Sequence, residues 1–207
     1  ALQLPGMATI LGMALLGAAV NPAIQPILAL HLRDLHGWHP PWLDGIIYSL
    51  PGMALVFLAY TWTCAGERRG RAEVMIRGLV GVALGLVVLT LTGSIWLFGL
   101  GYLLVGIFLA AVGPNAAACV AREVPAEKRG RTYGILQAAN TLGAFLAPLF
   151  AGAVTALLGL RGLFATMAAV VAGVAWMLLV RTKRLRAPGR IAAETAAASS
   201  GPADEYR

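Results

Sequence analysis

Charged side chains are scarce in this sequence. Asp, Glu, Lys and Arg make up 12% of the 207 residues, whereas hydrophobic residues make up 59%. A soluble domain is usually about half apolar and about a quarter charged, so this composition argues against an ordinary soluble fold. The deficit of charge indicates a chain whose solvent is lipid.

Cysteines and catalytic motifs are also few. Cys64 and Cys119 are far apart and show neither metal-binding nor redox spacing, so apolar packing is their expected role. No His-Glu-x-x-His zinc motif is present. Ser49 lacks the Gly-x-Ser setting that an intramembrane serine protease requires. We therefore expect no enzyme activity, no cofactor and no metal site.

The sequence does contain six long apolar runs. About 20 apolar residues are needed to cross the hydrocarbon core, and unbroken runs of that length argue against barrel strands, which alternate in short segments. The predicted transmembrane helices cover residues 6–30, 43–65, 74–92, 95–121, 132–158 and 162–180. We predict an all-α membrane protein with one domain over residues 1–185 and a disordered, Ala-rich and Ser-rich tail over residues 186–207.

Basic residues are distributed unevenly among the predicted loops. Fourteen of the 16 lie between helices 2 and 3, between helices 4 and 5, or after helix 6, and only Arg33 and Arg161 lie on the other side. Because basic loops stay in the cytoplasm, both termini are predicted to be cytoplasmic in a multi-pass cell membrane protein. The net charge of +7 comes from these clusters, so nucleic acid is not an expected partner.

The predicted loop between helices 2 and 3, residues 63–72, reads Thr-Cys-Ala-Gly-Glu-Arg-Arg-Gly-Arg-Ala. It resembles the loop signature of the major facilitator superfamily, in which Gly, three residues and an acid are followed by basic-x-Gly-basic-basic. The matching positions are Glu67, Arg68, Gly70 and Arg71. The first Gly and the last basic residue are replaced, as is typical of the family's second half. The resemblance implies a gating loop, and a solvated loop that only sets orientation is the alternative.

Two further segments resemble the same family. Residues 123–140 are similar to its second inner loop and the helix that follows. The segment Gly-Ala-Phe-Leu-Ala-Pro-Leu-Phe-Ala-Gly at residues 143–152 is similar to the Gly/Pro signature of drug–proton antiporters, with alanine in place of two glycines. Gly143, Pro148 and Gly152 are therefore predicted to serve helix bending or packing, and both roles remain open.

The resemblance, which covers about residues 6–185, implies a C-terminal six-helix half of a transporter. Such halves rock around a central site, and the start without Met is consistent with an N-terminal half that is missing. That half, the bilayer and a small-molecule substrate are the expected partners. Drug-like amphipathic compounds, exported in exchange for protons, are the first expectation; a sugar or metabolite transporter and a non-transporting assembly subunit are the alternatives.

In this family, helices 1, 2, 4 and 5 of each half line the cavity. The candidates for contact with substrate are Asn21, Gln25, Tyr48, Tyr102, Asn115, Gln137 and Asn140. The alternative is that these side chains hydrogen-bond neighbouring helices. Asn21 and Gln25 precede prolines, so irregular backbone is expected there. No charged residue lies near the middle of a predicted span, so a proton relay would lie in the missing half.

Overall fold

The structure, a computed structural model, describes residues 7–36, 40–91 and 93–199. The described part of the chain is helical apart from short turns, which confirms the all-α class. Its helices are α1 (Met7–His36), α2 (Pro41–Arg69), α3 (Arg71–Leu91), α4 (Ile95–Leu109), α5 (Gly113–Glu123) and α6 (Ala126–Ser199).

The long helix α6 contains a reversal at Gly159. Its apolar part, Ala126–Val180, has 55 residues, and a straight helix of that length would extend about 80 Å, more than twice the hydrocarbon core. Gly159 has φ 72° and ψ −179°, a conformation that is essentially restricted to glycine. Residues 143–150 and 167–171 line one pocket together, so the chain turns back on itself at Gly159. These are the predicted helices 5 and 6.

The fourth predicted span is interrupted, which the sequence analysis did not anticipate. Residues 110–112 form a turn between α4 and α5. Pro114 has no backbone N–H to donate to the carbonyl one turn earlier, at Ala110. Ala111 and Val112 instead donate to residues three positions back, at 3.1 and 3.0 Å. The apolar stretch Ile95–Glu123 still has the length of one span.

The prediction of irregular backbone before the prolines of α1 is wrong. Pro22 and Pro26 both lie inside a helix that is continuous from Met7 to His36. A proline removes one hydrogen bond and crowds one carbonyl, and transmembrane helices tolerate this because neighbouring groups satisfy the freed backbone. The α1 backbone therefore keeps helical periodicity at the depth of the candidate Asn21.

A seam of glycines joins α3 to α4 in antiparallel orientation. A methyl group placed at Gly78 would lie 2.9 Å from the Phe108 carbonyl oxygen, and one at Gly85 would lie 2.7 Å from the Val105 side chain. At the far end of the seam, Gly101 of α4 faces Leu89 of α3 in the same way. Small residues allow backbones to approach this closely, which is how helices associate in lipid.

The helices differ in how much of their surface is covered by the rest of the chain. In the most apolar window of α3, 61% of the residues are buried, compared with 17% in α2. The second helix packs parallel to α4, with Ile47 near Gly99 and Ala54 near Gly106. The opposite side of α2 is therefore an apolar face that no described residue covers.

Helix α6 continues to Ser199, into the segment that we predicted to be a disordered tail. Alanine has the highest helix propensity of any residue, and this segment is rich in it. The domain boundary at residue 185 stays a prediction. Residues 200–207 lie outside the described residues.

Candidate functional site

A cavity of about 320 Å³ lies where α1, α2, the α4–α5 turn and the first segment of α6 meet. These correspond to predicted helices 1, 2, 4 and 5, the set expected to line the substrate cavity. Leu55 contributes from α2, Val112 from the turn and Pro114 from the start of α5. The remaining wall is formed by α1 and α6, which carry the polar groups of the cavity.

Two of the predicted candidates, Asn21 and Asn140, line this cavity. Asn21 belongs to α1 and Asn140 to the first segment of α6, and both side chains are half-buried. Each carboxamide can donate and accept hydrogen bonds without carrying charge. The described lining is otherwise apolar or glycine, so an occupant would meet two neutral polar points in an apolar wall.

Tyr102 lies behind the cavity and does not line it. Its side chain is fully buried, and its hydroxyl donates a 2.5 Å hydrogen bond to Oδ1 of Asn21. With Oδ1 occupied, the carboxamide of Asn21 is held in one orientation and keeps its NH₂ group for another partner. The structure thus places Tyr102 as a group that orients Asn21 from α4.

Asn115 is also buried away from the cavity. Its NH₂ group donates to the carbonyl oxygen of Ala111 at 2.9 Å and to that of Trp62 at 3.2 Å. These bonds connect the start of α5 to the preceding turn and to α2. The structural alternative considered above, a hydrogen bond between neighbouring helices, describes this contact.

The three remaining candidates do not line the cavity. Gln25 is half-buried one turn beyond Asn21. Tyr48 is 47% exposed on α2, and Gln137 is exposed one turn before Asn140. The sequence placed Gln137 and Asn140 on one side of the helix, but the packing of α6 turns only Asn140 toward the cavity.

The predicted gating loop is a one-residue connection between α2 and α3. Gly70 has φ 94°, and its N–H donates to the Gly66 carbonyl at 3.1 Å, so it allows the tight reversal from α2 into α3. Arg68 is exposed beside it. The neighbouring Arg71 is 9% exposed, and its guanidinium donates to the Ala118 carbonyl of α5 at 3.1 Å.

Glu67 joins this loop to the connection after α5. Its Oε1 lies 3.1 Å from Nη2 of Arg122 and 3.4 Å from Nη2 of Arg71. The carboxylate is 44% exposed and Arg122 is 65% exposed, so solvent screens the pair. The two inner loops predicted from the sequence therefore meet at one end of the bundle, and Arg122 is a partner that the sequence analysis counted only as a basic residue.

The glycines of the antiporter-like segment differ in their surroundings. A methyl group at Gly143 would lie 2.4 Å from the Leu15 carbonyl oxygen, so the backbones of α1 and α6 are in close contact there. Gly152 faces open space, with no described atom within 4 Å of the same position. The helix continues through Pro148.

Trp62 is a functional candidate that the sequence analysis missed. Its indole N–H donates to the Ile107 carbonyl of α4 at 2.8 Å, and its ring lies 5.9 Å from that of Phe108. The sequence analysis did not single out this residue. The Gly-Pro pair that interrupts the fourth span was a usable signal, because a broken helix leaves carbonyls that need donors.

The sequence matches the Major Facilitator Superfamily model over residues 6–203. It is 32% identical over 164 residues to Multidrug resistance protein MdtG of Citrobacter koseri, covering 77% of this chain and 40% of that protein. It is likewise 32% identical over 166 residues to MdtG of Yersinia enterocolitica, covering 78% and 39%. The matched region thus spans about two fifths of the length of these relatives.

Proposed function

The chain belongs to the major facilitator superfamily, and we propose that it forms one six-helix half of a secondary transporter that exports small amphipathic compounds. It is a multi-pass membrane protein. Transporters of this kind have two halves that rock about a central site and expose it alternately to each side of the membrane. The relatives named above are multidrug resistance proteins, which supports export of drug-like compounds over uptake of a sugar.

The cavity between α1, α2, the α4–α5 turn and α6 is the observation that carries this proposal. Its described walls are apolar except for the amides of Asn21 and Asn140. Apolar pockets with a few fixed polar groups suit amphipathic ligands, whereas a sugar needs many hydrogen-bond partners. If export is driven by proton exchange, the carboxylates of the proton relay would belong to the other half.

A resistance assay tests the substrate class. Cells expressing the complete gene are grown with a panel of toxic amphipathic compounds, and efflux of a fluorescent member is followed directly. Asn140→Ala should change resistance to some compounds by about two- to tenfold, since it removes one hydrogen-bonding group from the cavity. Gln137→Ala removes an amide on the same helix outside the cavity and should leave resistance unchanged.

Two outcomes would count against this function. Unchanged resistance across the whole panel, together with clear sugar uptake, would favour the metabolite transporter. Unchanged resistance without any transport, but with normal assembly into a complex, would favour the assembly subunit. Equal effects of Asn140→Ala and Gln137→Ala would contradict the cavity as the substrate site but would not contradict export itself.

The partner that we propose is a second six-helix half, seated on the exposed faces of α2 and the first segment of α6. Phe57 and Tyr60 of α2 are 72% and 78% exposed, and Phe145 and Leu149 of α6 are 67% and 62% exposed. These faces flank the cavity, so a second half placed there would close it. Without a second half the cavity lacks its opposite side, and the chain alone should not transport.

Cysteine pairing can test that arrangement. In the complete protein, one cysteine is introduced at Phe57 and a second at successive positions of a helix in the other half. If that half covers α2, cross-linking should recur every three to four positions. A cysteine at Trp176, which is 71% exposed on the second segment of α6, is the matched control. It should not cross-link to the scanned helix of the other half. Cross-linking from Trp176 and none from Phe57 would place the second half against the last segment of α6 and would contradict the proposed arrangement.

A further inference from the structure

The turn in the fourth span leaves backbone groups that α2 satisfies. Ala111 donates its N–H to Phe108, one residue later than helical geometry would require, so the Ile107 carbonyl is released from its usual partner. The indole N–H of Trp62 donates to that carbonyl at 2.8 Å. A side chain of α2 therefore caps the end of α4, inside an apolar span where an unpaired carbonyl is costly.

The second bond runs in the opposite direction, from the start of α5 to α2. Asn115 donates to the backbone carbonyl of Trp62, the same residue whose indole caps α4, and also to Ala111 within the turn. Trp62 and Asn115 thus connect both sides of the turn to one point on α2. Asn115 is fully buried, so neither bond competes with solvent.

Gly66 provides the space for this arrangement. A methyl group at that position would lie 2.0 Å from Oδ1 and 3.0 Å from Cγ of Asn115. Gly66 lies within α2, one turn after Trp62, where glycine is otherwise unfavourable by roughly 0.5–1 kcal/mol relative to alanine. The close approach of the carboxamide explains why a glycine is required there.

The two parts of the fourth span differ in how they are held. The α4 segment packs on α3 through the glycine seam, in close van der Waals contact. The α5 segment buries Ala116, Cys119 and Val120 in the core, and polar contacts add to this packing: Asn115 to Trp62, Ala118 to Arg71, and Arg122 to Glu67. Two buried polar atoms at this attachment, Oδ1 of Asn115 and Nε of Arg71, have no hydrogen-bond partner among the described residues. Unsatisfied groups reduce the stability of the docked state.

We propose that Trp62 and Asn115 form a two-way lock that fastens both sides of the turn to α2, Trp62 through its bond to α4 and Asn115 through its bond from α5. When the lock opens, the turn at residues 110–112 lets α5 separate from α2 while α4 stays packed on α3. The lock is the conformationally labile contact of the fourth span, and the glycine seam is the fixed one. Opening it carries Arg122 away from Glu67, because both belong to the segments that part. Local opening of this kind is expected at contacts that leave buried polar atoms unsatisfied, as Oδ1 of Asn115 and Nε of Arg71 are among the described residues.

Cys119 reports on opening of the lock. It lies on α5, four residues after Asn115, and is 1% exposed against α2 and α3. The experiment uses the complete protein in detergent with Cys64 and any cysteines outside this chain replaced, so that Cys119 is the target of N-ethylmaleimide, and mass spectrometry measures its labelling rate. Trp62→Phe, which keeps an aromatic ring beside Phe108, should raise the rate about three- to tenfold because the α4 side of the turn loses the hydrogen bond that fastens it to α2.

Glycine variants provide the matched control. Gly66→Ala should raise the labelling rate to a similar extent, because its methyl group collides with Asn115. Gly52→Ala, on the same helix but with open space around the new methyl group, should leave it unchanged. In the Asn115→Ala background, Gly66→Ala should add nothing further, since the collision is gone.

Wild-type labelling rates in both Trp62→Phe and Gly66→Ala would overturn the lock. So would a rate in Gly52→Ala equal to that in Gly66→Ala, because the effect would then follow from any change in α2. Size-exclusion profiles and the labelling plateau in denaturant identify a variant that has failed to fold. If Gly66→Ala fails to fold, the labelling rate of Trp62→Phe decides. Labelling requires no transport, so the outcome is independent of the export function proposed above.

Discussion

At the scale of single residues, two buried side chains, Tyr102 and Asn115, form hydrogen bonds across helices. Tyr102 of α4 is fully buried and donates to Asn21 of α1, whose carboxamide also borders the cavity. A buried hydroxyl without a partner would be costly, so the pair links the packing of two helices to the geometry of the cavity. The same residue pair therefore affects stability and substrate contact together.

Replacing Tyr102 with phenylalanine tests that link. Tyr102→Phe should lower the free energy of unfolding by about 1 kcal/mol, because Oδ1 of Asn21 loses its donor. Thermal unfolding in detergent measures the loss. Tyr133→Phe, which removes a hydroxyl bonded to Ala117 on an exposed residue, is the control and should cost less. Equal losses in the two variants would show that the buried pair contributes nothing specific.

The exposed ion pair at the inner loop should act on conformation more than on stability. Glu67→Gln should cost less than about 1 kcal/mol of stability, since an exposed pair is screened by solvent. We expect it to shift the complete transporter toward the inward-open state, and spin-label distances across the cytoplasmic side would measure the shift. Arg122→Gln should have the same effect, and the double variant should be no worse than either single one. An unchanged distance distribution would leave Glu67 as part of a solvated loop.

At the scale of elements, close backbone approach depends on where glycines lie. The seam between α3 and α4 uses Gly78 and Gly85 on one helix, so the two backbones meet where a side chain would otherwise separate them. A methyl group at Gly78 would touch a backbone carbonyl, which no change of rotamer can relieve. Other helical glycines, such as Gly173, have no described neighbour within 4 Å of that position.

These two glycines should respond oppositely to substitution. Gly78→Ala should destabilise the protein by about 1–3 kcal/mol through overpacking. Gly173→Ala should be neutral or stabilising by up to about 1 kcal/mol, since alanine is the better helix former. Thermal unfolding of the two variants in the same detergent gives the comparison. If Gly173→Ala loses as much stability as Gly78→Ala, close packing at the glycine seam does not explain the effect.

At the scale of the whole molecule, the contacts between inner loops agree with the orientation predicted from charge. Glu67 and Arg122 bring the connections after α2 and α5 to one end of the bundle, and the reversal at Gly159 lies one crossing after the start of α6. A six-crossing chain with both inner loops at one end has its termini on that side as well. The membrane side itself follows only from the excess of basic residues.

Labelling from outside the cell tests the orientation. In a protein with its native cysteines replaced, Arg161→Cys, beside the Gly159 reversal, should react with a membrane-impermeant maleimide in intact cells. Ala126→Cys, at the start of α6, should react only after the cells are opened. Both positions are exposed in the structure, so burial does not confound the comparison. The reverse pattern would contradict a cytoplasmic location for the termini.

Composition and local pattern were enough to determine the class of protein and most of the helices. Scarce charge and long apolar runs predict helices in lipid because a bilayer requires apolar side chains and internally satisfied backbone groups. The break between predicted helices 5 and 6 falls at Gly159, as the sequence suggested. These properties depend on residues close together in the chain, so they can be read without knowledge of the fold.

Tertiary structure alone decided which polar residues share a cavity and which hold helices together. Asn21, Asn115 and Asn140 look alike in the sequence, yet two line the cavity and the third connects α5 to α2. The difference arises from the rotation of each helix about its axis and from the turn at residues 110–112, and both are set by contacts between distant segments. Every helix of a lipid-solvated protein is apolar over most of its surface, so amphipathic pattern does not mark the inward face, and only packing assigns it.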